Sequence, residues 1–395
     1  MDSFPLPQST PEDVGLSSAG LARLAGVMRA EVERGRVPGA VALVARRGKL
    51  AYFESFGQRD PLRAGPMALD SIFRIYSMTK PIVSVAAMML WEEGRFLLSD
   101  PIAKYLPELG SLKVAVMRGA ELEQVDAERP ITIQDLLRHT SGLTYEFRGN
   151  GPVHKMYMGA RIYSRDQSNA DQVAALARLP LLNQPGTKWE YSRSTDVVGR
   201  LVEVLSQASL GDFLRQRIFA PLGMSDTAFH VPEGKLARLA ESFAKDPETG
   251  TGVQLVNVKD APKFESGGGG LVSTAGDYAR FLQMLLERGR FDGTRFLSRK
   301  TIELMTADHL GPISGAADLL LPGYGFGLGF AVRLQPGISH VPGSVGQYFW
   351  GGLAGTTFWV DPAEQLFAIM MIQAPGQRDY FRTLFRDLVY AAFDD

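Results

Sequence analysis

No cysteine occurs anywhere in the 395 residues. Disulfides, thiolate nucleophiles and cysteine-held zinc are therefore excluded, although the compartment is not fixed by that. Histidine is scarce too. His139, His154, His230, His309 and His340 are the whole set, with no i, i+4 pair and no His-Glu-x-x-His, so no metal site and no cofactor is expected. Charge of one sign is also lacking: 42 Lys and Arg stand against 43 Asp and Glu, for a formal net charge of −1. With the basic residues spread along the chain, neither a nucleic-acid partner nor a polybasic membrane contact is expected. No apolar run approaches the roughly 18 residues of a membrane span. The opening "MDSFPLPQSTPEDVG" is acidic and proline-rich, without the basic and apolar regions of a secretory signal. A soluble, cytoplasmic protein is the expectation.

What is present is ordinary globular material, 45% hydrophobic and 22% charged, with length enough for a substantial core. Residues 18–34 carry apolar side chains at helical spacing, with Ser18 as N-cap and Gly35 as stop. Two β-rich runs, 40–45 and 50–56, flank "RRGK" and read as a hairpin. From 95 to 265 the pattern is helix and loop, with helices at 132–143, 170–178, 193–208 and 210–219. A glycine run at 266–270 precedes an amphipathic helix at 274–288. The last third is strand-rich and closes on a helix over 378–393. Strands at both ends around a helical middle imply an α/β (α+β) fold. Residues 1–90 and 266–395 would build a largely antiparallel sheet flanked by helices, and residues 91–265 a mostly helical domain. The cleft between them is the default ligand site.

The chemistry centres on "YSMTKP", residues 76–81. Ser77 stands three residues before Lys80, and positions i and i+3 share one helix face. Spacing alone decides nothing, because 25 serines and 11 lysines give such a pair about once by chance. The spacing in fact recurs at Ser242 and Lys245, in "ESFAKDPETG". Context separates the two. "PIVSVAAMMLWEEG" after Ser77 is apolar almost all round and predicts a buried helix ending at Gly94. Pro81 fits its first turn. Burial lowers a lysine's pKa and makes it a base for the serine hydroxyl. The helix N-terminus disfavours the ammonium further and supports an oxyanion. Ser242 has no buried helix behind it. No serine has glycine at both −2 and +2, which disfavours a nucleophile elbow.

Five segments in this order carry a resemblance: "SMTK" (77–80), "LLRHTSGL" (136–143), "YSRSTDVVG" (191–199), "GGGGLVSTAGDYARFL" (267–282) and "WGGLAGTTFWVDP" (350–362). The chain resembles the serine β-lactamase and penicillin-binding-protein superfamily, and within it the class-C-like family VIII carboxylesterases. The likeness covers nearly the whole chain and implies a β-lactamase/DD-peptidase-like fold. It implies Ser77 as acylated nucleophile, Lys80 as its proton partner and Tyr191 as catalytic tyrosine, a phenolate-like base or a relay with Lys80. A nearby ammonium would lower that phenol's pKa. Trp350, Gly351 and Gly352 match the family's Lys-Thr-Gly strand motif and, with Arg193 of the tyrosine motif, would bind substrate. The backbone N–H groups of Ser77 and Leu353 would form the oxyanion hole, each worth about 3 kcal/mol in the transition state. Arg193 stands where β-lactamases commonly have Asn, and Trp350 where they have Lys. An indole cannot pair with a β-lactam carboxylate but can wall an apolar pocket, so both changes favour esters.

Other conspicuous residues have plainer readings. His139 is expected to be structural. The "SGGGG" run lacks a following Lys-Ser/Thr and is expected to make a tight turn or close backbone approach near the site. Of Tyr348, Phe349, Trp350, Phe358 and Trp359, at least half should be core. The expected function is a serine carboxylesterase on short-chain acyl esters, with a small-molecule ester as partner. The alternatives are a β-lactamase, D-aminopeptidase or acyltransferase on the same site, or a non-catalytic acyl-binding sensor.

Overall fold

A computed structural model describes residues 4–395. Its centre is an eight-stranded sheet. The strands are β1 (Gly39–Arg46), β2 (Lys49–Asp60), β3 (Arg63–Pro66), β4 (Tyr324–Phe326), β5 (Ala331–Arg333), β6 (Tyr348–Gly351), β7 (Thr357–Asp361) and β8 (Leu366–Met371). Their order across the sheet is β4-β5-β6-β7-β8-β1-β2-β3, antiparallel throughout. The two ends of the chain meet at β8 and β1, in register from Val41↔Met371 to Arg46↔Leu366. The β1–β2 turn is Arg47-Gly48, both at positive φ (54° and 74°). That is the backbone of a two-residue hairpin whose twist matches its strands.

β1 is buried along its whole length because both faces are covered. Ala40, Ala42 and Val44 point to one side and meet Leu24 and Met28 of the helix Ser18–Glu33, with Phe381, Phe385 and Val389 of the helix Arg378–Tyr390. Val41, Leu43 and Ala45 point to the other, into a larger core shared with the helices Thr79–Glu92, Ser194–Ser206 and Ala275–Leu286. Each large apolar side chain so buried contributes roughly 1.5–3 kcal/mol. Among the described residues no helix is long and apolar enough to cross a membrane.

Several sequence expectations shift in detail. Ser17, not Ser18, caps the first helix by accepting from the Gly20 N–H at 3.2 Å. The helix expected at 132–143 stops at Leu137, behind a Thr132–Asp135 capping box, and the chain runs on as loop with His139 at φ 60°. The middle segment is not only helix and loop. Lys113–Arg118 and Glu121–Asp126 form a hairpin turning at Gly119 (φ 66°). Only Val114 of its two strands is fully buried. The hairpin is held instead by cross-strand Lys113–Asp126 pairing and by backbone bonds of Ala115 and Lys113 to Leu181.

Candidate active site

Ser77 lies in a short 3₁₀ turn, Tyr76–Met78, that opens directly into the helix Thr79–Glu92. Twelve of that helix's fourteen residues are buried, as its all-round apolar sequence requires. The turn is pinned on several sides. Tyr278 OH donates to the Met78 carbonyl at 2.9 Å, and the Leu271 N–H donates to Thr79 Oγ1 at 3.1 Å. Tyr76, immediately before Ser77, sits at φ 43°. A tyrosine there is strained, and its hydroxyl is held by the Val256 N–H at 3.0 Å.

Lys80 is fully buried, and its Nζ lies 3.4 Å from Ser77 Oγ. It donates to Tyr145 OH at 2.9 Å and to the Gly268 carbonyl at 2.6 Å. Burial brings its pKa down to about 7, against the pull of Asp196 and with the help of Arg193. The glycine run explains itself here. A Cβ on Gly267 would stand 2.5 Å from the Thr195 carbonyl, and one on Gly268 would stand 2.8 Å from Tyr145 OH. The Gly268 N–H donates to Asp196 Oδ1 at 2.8 Å while its carbonyl takes the lysine. The run is the close backbone approach that the sequence suggested.

Tyr191 packs beside this pair, its ring 4.4 Å from Lys80 Nζ. Trp350 Nε1 donates to its hydroxyl at 3.3 Å. Here the structure corrects the expected electrostatics. Burial outweighs every stabilising neighbour, Ser77 and Trp350 included, and pushes the Tyr191 pKa up. The resting group is a phenol. His139 is fully buried behind it, with ring centroids 5.0 Å apart. Its Nδ1 accepts from the Ser192 N–H at 3.3 Å, so a neutral ring is fixed as a packing element.

Arg193 is buried in an ion-pair network with Glu146 (2.5 Å) and Asp196 (3.4 Å). Its guanidinium caps the Tyr145 ring at 4.8 Å. It braces the lysine's surroundings and is committed to carboxylates. Trp350 is buried at the end of β6, which packs against the Tyr76–Met78 turn. Gly351 and Gly352 follow it. A Cβ on Gly352 would stand 2.5 Å from the Ile75 carbonyl, so only glycine lets this backbone reach the nucleophile's turn. Leu353 is 47% exposed. The N–H groups of Ser77 and Leu353 donate to no protein group among the described residues.

Sequence reasoning missed Tyr145, the lysine's second partner. It follows "HTSGLT" in a loop, where no periodicity marks a side chain's direction. Ser242 and Lys245 do not form a second site: Lys245 is exposed, in an isolated antiparallel bridge to Gly252 with no helix behind Ser242.

A family model described as Beta-lactamase matches residues 24–392. The chain belongs to the beta-lactamase family. An uncharacterized protein of Mycobacterium tuberculosis is 38% identical over 358 residues, 88% of each chain. Esterase EstB of Burkholderia gladioli is 30% identical over 403 residues, 96% of this chain and 98% of that one. Among solved structures, EstCE1, described as a hydrolase with promiscuous acyltransferase activity, superposes with TM-score 0.79 at 26% identity, covering 94% and 98% of the two chains. Within the family these relatives place the chain among the esterase-type serine hydrolases, with the fold that the five sequence segments implied.

Proposed function

We propose that the protein is a carboxylesterase that hydrolyses short-chain acyl esters through an acyl-enzyme on Ser77. The observation that carries this reading is the disposition of acceptors around Lys80. A neutral amine has two N–H groups and one lone pair. Gly268 O and Tyr145 OH take the two N–H groups at 2.6 and 2.9 Å, which leaves the lone pair for the Ser77 hydroxyl. Burial favours that neutral form.

In this scheme Lys80 takes the Ser77 proton as Oγ bonds to the ester carbonyl carbon. The N–H groups of Ser77 and Leu353 receive the negative charge on the carbonyl oxygen. The carbon–alkoxide bond then breaks. Tyr191 hands its proton to the leaving alcohol and is reprotonated from Lys80, the relay role that suits a phenol with a raised pKa. Water repeats the sequence on the acyl-enzyme, releasing the carboxylic acid and restoring Ser77. Trp350 walls an apolar pocket and offers no cation to a β-lactam carboxylate. An acyltransferase reading has specific support, including the transferase activity stated for EstCE1. It differs only in the acceptor that attacks the acyl-enzyme.

The test is steady-state turnover of p-nitrophenyl acetate, butyrate and decanoate beside nitrocefin, for wild type and Ser77→Ala. Fast turnover of the short esters, lost by at least about 10³-fold in Ser77→Ala, is the expected result. Dominant nitrocefin turnover would replace it with a β-lactamase, and a single stoichiometric burst with a sensor. Adding a competing alcohol and finding ester product instead of acid would select the transferase.

A further inference from the structure

The helix Arg378–Tyr390 sends one basic side chain toward the cleft. Arg382 Nη2 donates to the Gly352 carbonyl and lies 3.5 Å from the Thr356 carbonyl. Its guanidinium rests directly on the β6 backbone. A Cβ on Gly351 would stand 2.6 Å from Nη2 and 2.7 Å from Cζ, so glycine at 351 is what admits the arginine. Its one carboxylate neighbour among the described residues, Asp379, is 3.6 Å away and 80% exposed, a pairing worth little. Arg382 Nε is buried with no partner among the described residues. The cation's short contact is therefore the Gly352 carbonyl oxygen, with the Thr356 carbonyl at the limit of hydrogen-bond reach.

That oxygen is half of a functional peptide group. The Gly352 carbonyl and the Leu353 N–H belong to the same amide, which is planar and trans, so the two point in opposite directions. Fixing the oxygen fixes where the N–H points. A charge-assisted bond to the oxygen also draws electron density from the nitrogen and makes its hydrogen a stronger donor. We propose that Arg382 is a positioning residue: through the Gly352 carbonyl it orients and polarises the Leu353 N–H that receives the oxyanion. The inference rests on the Ser77 acyl-enzyme reading. It assigns a role to Gly351 as well, as the contact surface for the guanidinium.

The experiment compares wild type, Arg382→Ala and Arg382→Lys. It reads kcat and KM on p-nitrophenyl butyrate, and the rate at which diethyl p-nitrophenyl phosphate phosphorylates Ser77. The phosphoryl oxygen of that reagent needs the same donor, while p-nitrophenolate leaves as it does from the ester and the acyl group is replaced by a diethylphosphoryl group. Arg382→Ala should lower kcat about 10- to 100-fold with KM changed less than about threefold, and should slow phosphorylation by a similar factor. Arg382→Lys should recover part of the loss. Millimolar guanidinium added to Arg382→Ala should restore part of kcat, which a merely unfolded or loosened variant would not show. A rise in KM at unchanged kcat would overturn the proposal in favour of direct substrate binding. So would an unchanged phosphorylation rate in Arg382→Ala while wild type reacts normally, and so would a loss that guanidinium does not relieve. If wild-type Ser77 is not phosphorylated at all, the acyl-enzyme reading fails and the inference falls with it.

Discussion

The chain carries Ser-x-x-Lys twice, and the two copies make opposite environments from the same letters. At Ser77 the spacing is wound into the mouth of a helix whose residues 79–90 are all buried. At Ser242 no helix follows it, and Lys245 is exposed to water. The first lysine meets a hydroxyl, a carbonyl and a serine within 3.4 Å. The second faces bulk solvent. A spacing motif thus specifies only that two groups can meet. What turns one of them into a base is the cost of keeping an ammonium out of water.

The sharpest way to break this comparison is to remove both amines in turn. Lys80→Met should lower ester turnover by roughly 10²- to 10⁴-fold, and Lys245→Met should leave it unchanged. Equal effects would mean that burial is not what matters. Wild-type activity should rise with pH through a midpoint near 7, since Lys80, with a pKa of about 7, must lose its proton before it can accept one from Ser77. Stability carries the same signature. Unfolded, the lysine regains its ordinary value of 10.5. Between about pH 7 and 10.5 the unfolded chain binds the extra proton, so stability rises with pH across that window, and the full penalty remains below it. The Tm difference between Lys80→Met and wild type should therefore be more positive at pH 6 than at pH 10. A difference independent of pH would show that Lys80 keeps its water.

How much of this was legible in the sequence follows from which interactions are local. The β1–β2 hairpin, the buried helix after Ser77 and the glycine run were readable, because each is written in consecutive residues. The capping of the first helix slipped by one position between two adjacent serines, either of which suits an N-cap. The Lys113–Asp126 hairpin was missed because its strands are mostly solvated, and hydrophobic pattern is the signal that sequence reading uses. Tyr145 and Arg382 were invisible for another reason. Tyr145 lies 65 residues from Lys80 and Arg382 lies 30 from Gly352, and no spacing rule connects such pairs. Tyr191 was located through family likeness, yet its electrostatics came out reversed. Proximity to a lysine was visible in the motif, and depth of burial was not.

A milder test loosens the enclosure without opening it. Tyr145→Phe keeps the ring, which stacks on Phe147 with centroids 4.8 Å apart, and deletes only the oxygen that accepts from Lys80. The loss should be about tenfold in kcat/KM, the value of one buried hydrogen bond to a charged or partly charged group. The direction of the pH shift is the more telling result. The hydroxyl oxygen stabilises ammonium more than amine, so its removal should move the rising limb to lower pH. A limb displaced upward would mean that Tyr145 acts on Lys80 by some route other than that bond.

The smallest effect should come from the far side of the site, where enclosure reaches Tyr191 but not the amine. Trp350 Nε1 donates to the Tyr191 hydroxyl at 3.3 Å, a long bond. That donation occupies one lone pair of the phenol oxygen, which has the Ser77 hydroxyl as its other hydrogen-bonding neighbour. Trp350→Phe removes the donor while retaining an aromatic ring against Phe326, which meets the indole edge-on at 5.3 Å. A weak neutral hydrogen bond is worth about 1 kcal/mol, so kcat should fall about fivefold, and the midpoint near pH 7 should stay in place because Lys80 is not touched. If that midpoint moves with Trp350→Phe as it does with Tyr145→Phe, the lysine and Tyr191 titrate as one unit. The contrast between the two copies would then belong to the whole Ser77–Lys80–Tyr191 cluster and not to the burial of a single amine.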